Sequence, residues 1–281
     1  MSHDPRHPHD LLWPLPVSRS LVEGLLLPVP GGDGEGVAGV TFELRLGDCL
    51  DPVTGMASLA DKGVDHVITD PPYEDSAHTK QRRVKRGNGS GSVTGDRMSI
   101  EPLPFPPISD SDRALAARHI FRVARRWSLI FCQVEAAMKW AEHHSPEADY
   151  VRTMVWVKPD GMPQYTGDRP GMGYESIVAC HALGAKRWNG GGRHGVFLIN
   201  KNDPDRSGHP TQKPDALMEL LIKLFTDPGD LILDPFAGSG TTGVAAIRLG
   251  RRFIGWERDP KYHAIALKRL TAAREQLELC A

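Results

Sequence analysis

The chain has little cysteine, no excess of either charge and no long apolar run. Four cysteines, Cys49, Cys132, Cys180 and Cys280, occur in 281 residues without paired spacing. That pattern gives no disulfide framework and no metal site. Three of the four lie in apolar or strand-like contexts, which predicts buried free thiols. No apolar stretch approaches the roughly 20 residues that span a bilayer, so no membrane partner is expected. Histidines, aspartates and prolines interrupt the first residues, so the start does not read as a signal peptide. These absences predict a cytoplasmic protein. Lys and Arg number 34 against 35 Asp and Glu, a formal net charge of -1. Bulk charge therefore offers no attraction to nucleic acid, and any such contact must use local patches. The chain shows no internal repeat, coiled coil or separate linker.

What is present is concentrated in three short segments. The first is Asp70-Pro71-Pro72-Tyr73. It follows Val64 to Thr69, an apolar run with β-branched residues at Val64, Val67, Ile68 and Thr69, which reads as a short buried strand. Proline fixes φ and lacks an N–H, and the residue before it is pushed to extended geometry. The strand thus ends in a rigid, donor-poor backbone. The Asp70 carboxylate and the Asp70 and Pro71 carbonyls can face one pocket as acceptors, with the Tyr73 ring beside them. That set suits an exocyclic amino group on a planar base.

The second segment runs from Asp234 to Gly243, after a short strand Leu231 to Leu233 and before a helical pattern through Leu249. Gly238, Gly240 and Gly243 satisfy the G-x-G-x-x-G spacing. Glycines allow a tight turn and close approach of a ligand to N–H groups at a helix start. The next strand, Arg252 to Trp256, ends in Glu257, about twenty residues on, where an acid grips ribose hydroxyls. The third segment is His209-Pro210-Thr211-Gln212-Lys213-Pro214.

Together these three segments resemble the amino-methylating DNA methyltransferases. The order, DPPY first and FAGSG late, is similar to that family's beta group, a circular permutation of the common methyltransferase fold. The resemblance covers roughly Phe42 to Leu270. It implies S-adenosylmethionine as cofactor and double-stranded DNA as partner. It makes a homodimer an arrangement to expect, whereas a restriction endonuclease partner is not legible from one chain. It assigns Asp70, Pro71, Pro72 and Tyr73 to catalysis. It assigns Asp48, Thr211, Lys213, Asp234, Phe236, Ala237, Gly238, Ser239, Gly240, Thr241 and Glu257 to the cofactor. Asp48 has a second reading as the cap of the turn that follows it. Within the family DPPY is more often associated with adenine N6 and SPPY with cytosine N4. Adenine N6 is the expected target, with cytosine N4 the alternative.

Two basic groups are candidates for DNA contact. Lys80, Arg82, Arg83, Lys85 and Arg86 follow DPPY directly, inside a glycine-rich stretch that reads as a mobile loop over residues 74–110. Arg187 and Arg193 flank Trp188 and Gly190 to Gly192 in a segment, residues 182–208, where the family carries target recognition. Each group also reads as an ordinary solvated basic surface.

The remaining pattern alternates strands and helices. Phe42 to Leu46 reads as a strand, with a helix from Asp112 whose apolar positions run to Trp127. A central strand spans Ser128 to Val134 and a helix Glu135 to His144. Val151 to Val157 and Tyr174 to Cys180 form a hairpin, and a helix opening at Pro214 runs to about Phe225. A last helix spans Tyr262 to Leu277. The alternation predicts an α/β fold, a doubly wound, mainly parallel, Rossmann-like sheet, with ligands at the carboxyl ends of its strands. Residues 1–40 read as a partly irregular arm and 41–281 as one catalytic domain. An NAD-linked oxidoreductase leaves DPPY unexplained and has only about forty residues after the glycines for its second nucleotide half. A non-catalytic DNA-binding module leaves the intact acids and glycines unexplained.

Overall fold

The structure is a computed structural model that describes residues 41–74, 106–143, 148–161, 170–202 and 212–280. Eight strands among them form one sheet: β1 Phe42–Leu46, β2 His66–Thr69, β3 Trp127–Cys132, β4 Ala148–Val157, β5 Tyr174–Ala182, β6 Val196–Leu198, β7 Leu231–Asp234 and β8 Arg252–Glu257. Their order across the sheet is β1-β8-β7-β2-β3-β5-β4-β6. Only β5 runs antiparallel to its neighbours; β1 with β8, β7 with β8, β2 with β7, β2 with β3 and β4 with β6 are parallel pairs. The mainly parallel α/β sheet expected from the alternation is present.

Side chains on a strand alternate between faces, and the sheet's two faces carry separate cores. Leu129 and Phe131 join one, with Leu217, Ile222, Val244 and Leu270. Ile130 and Cys132 join the other, with Ile120, Phe121 and Trp140. The first core is covered by α3 Asp215–Phe225, α4 Thr241–Arg248 and α5 Pro260–Cys280, the second by α1 Asp110–Val123 and α2 Ala137–Ala141. β2 and β3 are buried along their whole length, as strands covered on both faces must be. Cys49, Cys132 and Cys180 are buried free thiols.

Boundaries differ where backbone bonds redirect the chain. The first helix begins at Asp110, because the Ser109 hydroxyl accepts the Asp112 N–H and caps the turn. Trp127 belongs to β3 and not to the helix. The Arg125 and Arg126 N–H groups donate to the Val64 and Asp65 carbonyls at 2.8 and 2.9 Å and turn the chain into the sheet. β3 stops at Cys132, residues Val134–Ala136 make a 3-10 turn, and α2 is only Ala137–Ala141. The carboxyl ends of β1, β8, β7, β2, β3 and β4 and the amino end of β5 share one edge of the sheet. No helix among the described residues is long and apolar enough to cross a membrane.

Candidate active site

At the centre of that edge β2 ends in Thr69 and delivers Asp70. The Lys213 ammonium lies 2.7 Å from Asp70 Oδ2. Asp70 Oδ1 is covered and meets no donor among the described residues. An acceptor buried without a partner is costly, so this oxygen marks a place where a donor belongs. Burial pushes the Asp70 carboxyl above its usual range, and Lys213 opposes that rise. Tyr73 is fixed by its hydroxyl, which donates to Glu175 Oε2 at 2.7 Å. Lys213 reaches Glu175 Oε2 at 3.1 Å and the Tyr73 oxygen at 3.2 Å. Lys158 donates to Glu175 Oε1.

Glu175 lies at the start of β5, and the sequence reading missed it. Burial alone would raise its pKa, but the Lys213 and Lys158 ammoniums outweigh burial and hold it at about 2. Asp70 and Glu175 likewise outweigh burial at Lys213 and hold that ammonium above its ordinary range. Lys213 was expected beside the cofactor. It stands with Asp70, its ammonium 5.1 Å from the Tyr73 ring centre and 5.2 Å from that of Phe131. One signal for Glu175 exists in the sequence: a lone carboxylate precedes a strand run whose next seven residues are all buried.

The glycine turn lies one strand away. Asp234 ends β7, and both its oxygens are occupied. Oδ1 accepts the Thr69 hydroxyl at 2.7 Å and the Phe236 N–H at 3.1 Å, and Oδ2 accepts the Thr242 hydroxyl at 2.6 Å. Burial raises its pKa to about 6 despite those three donors. Asp234 thus fastens the DPPY strand to the glycine turn. Gly238 and Gly240 take φ of 54° and 80°, the left-handed region where a side chain is strained. Gly243 is needed for packing instead. A Cβ there would come within 2.6 Å of Leu270 and 2.8 Å of Phe253, so the glycine lets α4 lie against α5 and β8. Arg269, also missed, donates to the Ser239 carbonyl at 2.7 Å and braces the turn from α5.

Glu257 ends β8 beside the turn. Its Oε2 accepts the Gly238 N–H at 2.9 Å and its Oε1 the Asp259 N–H at 2.7 Å. Burial pushes the carboxyl up and the two N–H groups oppose it. A carboxylate has about four lone-pair sites, so two internal bonds leave room for hydroxyl donors. Asp48 Oδ1 accepts the Leu50 N–H at 2.9 Å, the turn-capping role. The Gly47 N–H donates to the Glu257 carbonyl at 3.0 Å and so sets that turn beside Glu257. Ala237, Ser239 and Thr241 are buried within the turn and Phe236 is half-buried.

Arg187 does not join this edge, and Arg193 follows it in the loop before β6, its N–H donating to the Gly190 carbonyl at 3.3 Å. β5 runs away from this edge, so the residues that follow Ala182 emerge at the opposite edge. There the Trp127 indole donates to the Arg187 carbonyl at 2.5 Å, and the Arg187 guanidinium lies 3.2 Å from Asp227. The chain returns through β6, and the Asp160 carboxylate accepts the Lys201 and Asn202 N–H groups at 2.6 and 2.9 Å. Lys80, Arg82, Arg83, Lys85, Arg86 and Thr211 lie outside the described residues.

A family model described as DNA methylase matches residues 64–268. The chain is 31% identical to YubD of Escherichia coli (strain K12) over 245 residues, 83% of this chain and 91% of that protein. A shorter stretch of 78 residues, 28% of this chain and 29% of the relative, is 61% identical to the type II methyltransferase M2.DpnII of Streptococcus pneumoniae. Among solved structures, the complex of M1.HpyAVI with SAM superposes with a TM-score of 0.61 at 26% identity, covering 82% of this chain and 99% of that one. The cytosine-N4-specific PvuII DNA methyltransferase gives 0.61 at 16% identity, covering 84% and 92%, a likeness of fold alone.

Proposed function

The chain belongs to the DNA methylase family, whose members are adenine-N6 or cytosine-N4 methyltransferases, and from that premise we propose that it methylates N6 of an adenine flipped out of double-stranded DNA. The observation that carries this reading is the covered Oδ1 of Asp70, which meets no donor among the described residues and is set beside a Tyr73 ring that Glu175 holds in place. The Asp-Pro head of the motif favours adenine over cytosine.

S-adenosylmethionine is the cofactor in this reading, and the residues fit it. The left-handed Gly240 opens α4, whose first N–H groups and dipole suit the methionine carboxylate. Glu257, fixed by two N–H groups, has acceptors left for the ribose. The Gly47–Asp48 turn, tied to Glu257, would hold the cofactor's adenine. When bound, the cofactor supplies an electrophilic methyl group on a sulfonium.

The chain's own residues do the rest. Taking the base out of the stack costs about a few kcal/mol, and the Tyr73 ring gives it a new face to stack on. Asp70 Oδ1 accepts one amino hydrogen and the Pro71 carbonyl the other. The amine lone pair is otherwise conjugated with the ring, and these two acceptors favour a more tetrahedral nitrogen. Asp70 acts as acceptor first. The amino proton becomes acidic only after methyl transfer and then moves to Oδ1. Alignment and fixed charge thus supply the acceleration. Lys80 to Arg86 neutralise DNA phosphates.

The test is methylation of mixed genomic DNA with labelled cofactor, followed by nucleoside mass spectrometry. N6-methyladenine is expected. N4-methylcytosine alone sinks the adenine assignment, and no methylated nucleoside sinks the reading.

A further inference from the structure

We infer that Glu175 is a positioning residue whose carboxylate pins the Tyr73 hydroxyl and shares the Lys213 ammonium, which keeps Asp70 Oδ1 a strong acceptor for the target amine. This rests on the methyl-transfer reading above. Asp70 and Glu175 are two carboxylates served by two ammoniums, Lys213 and Lys158. Lys213 touches both acids, at 2.7 and 3.1 Å, and is only 9% exposed; Glu175 is 14% and Lys158 15% exposed. In so dry a site an unpaired charge is expensive, so the four groups share their charges as a set. Were Glu175 neutral, Lys213 would rest on Asp70 alone and draw electron density from Oδ1. Tyr73 would at the same time lose the anionic acceptor for its hydroxyl.

The groups facing this cluster come from several elements. Asp70 and Tyr73 follow β2, Cys132 ends β3, Lys158 follows β4, and Lys213 precedes α3. Glu74 meets Arg113 of α1 at 2.9 Å and Lys139 of α2 at 3.9 Å. The negative charge of Glu175 is one of the influences that raise Asp70. Removing that charge must make Asp70 easier to ionise.

The test compares Glu175→Gln with the wild type in single-turnover methylation across pH. The variant keeps the size and an acceptor and loses the charge. The rate at the optimum should fall roughly 10- to 100-fold, as for loss of a hydrogen bond to a charged group. Cofactor affinity should stay within about twofold. The acid limb of the pH–rate profile should move to lower pH, which a purely structural role would not produce. Lys158→Met removes a cation instead, and should move the limb to higher pH; it serves as the second variant should Glu175→Gln fail to fold. Asp70→Ala is assayed in parallel. An unchanged rate and limb in the Glu175 and Lys158 variants, with Asp70→Ala inactive, overturns this inference alone. An active Asp70→Ala overturns both the inference and the reading beneath it.

Discussion

Two Asp-Pro pairs end neighbouring parallel strands, Asp70-Pro71 on β2 and Asp234-Pro235 on β7, and they do opposite things. Asp234 is buried and Asp70 half-buried, and desolvation pushes both carboxyls upward. Asp234 spends both oxygens on its own chain, on two threonine hydroxyls and an amide. Asp70 gives one oxygen to a lysine, and its other oxygen meets no donor among the described residues. The glycine side is a scaffold closed by neutral donors; the base side is a balanced set of charges with one acceptor in reserve. An acid at a strand end is therefore defined by its donors and not by its motif.

The comparison can be broken or sharpened by substitution. The largest expected effect is at Asp70. Asp70→Ala should lower methyl transfer on the order of a thousandfold while calorimetry still detects cofactor binding. Lost cofactor binding in that variant would place Asp70 on the wrong side of the comparison.

Next is Asp234, where the effect is on stability. Its native pKa of about 6 lies above the ordinary 3.8, so the native state binds the proton more tightly than the unfolded state. Ionisation then costs the fold stability. The cost is absent below about pH 4 and complete above about pH 6. Asp234→Asn is neutral throughout, so its stability relative to wild type should grow across that window, by at most about 3 kcal/mol. Denaturant titrations at pH 4 and pH 7 measure it. A difference that shrinks with rising pH contradicts the assignment.

Glu257→Ala should weaken cofactor binding by about tenfold, as expected for one charged hydrogen-bonding group, with the rate at saturating cofactor within a few-fold of wild type. Equilibrium dialysis separates the two quantities. The smallest effect is at Arg187. It sits at the far edge in an exposed pair with Asp227, worth at most about 1 kcal/mol. Arg187→Ala should leave methylation rate and site choice unchanged, and a relaxed site preference would return that edge to DNA contact.

The sequence made the frame of this site legible and hid its charges. Asp70, the glycine turn and Glu257 come from local rules: an apolar run, a proline, a glycine spacing, an acid at a fixed distance. The mainly parallel sheet follows from the same alternation. Glu175 could not be read that way. Its contact with Tyr73 bridges 102 positions; the hairpin pattern gives β5 its direction but not its place between β3 and β4. Lys213 lies in a motif segment, but its direction is set by its ion pairs with Asp70 and Glu175. The direction of β5 that brings Glu175 to this edge carries Arg187 to the opposite one, beside Asp227.

The pairing of β2 with β7 and of β1 with β8 has a consequence for synthesis. The bond between Thr69 and Asp234 joins residues 165 positions apart, and Phe42 pairs with Phe253. Contacts so distant in sequence are slow to form, because a long loop must close before any of them is rewarded. A chain still leaving the ribosome carries Asp70 early but has no turn for the cofactor until β7 and α4 emerge. A truncation before Leu231 removes the middle of the sheet and not its margin, so a nonsense mutation even late in the reading frame should leave an unfolded chain rather than a weakened enzyme.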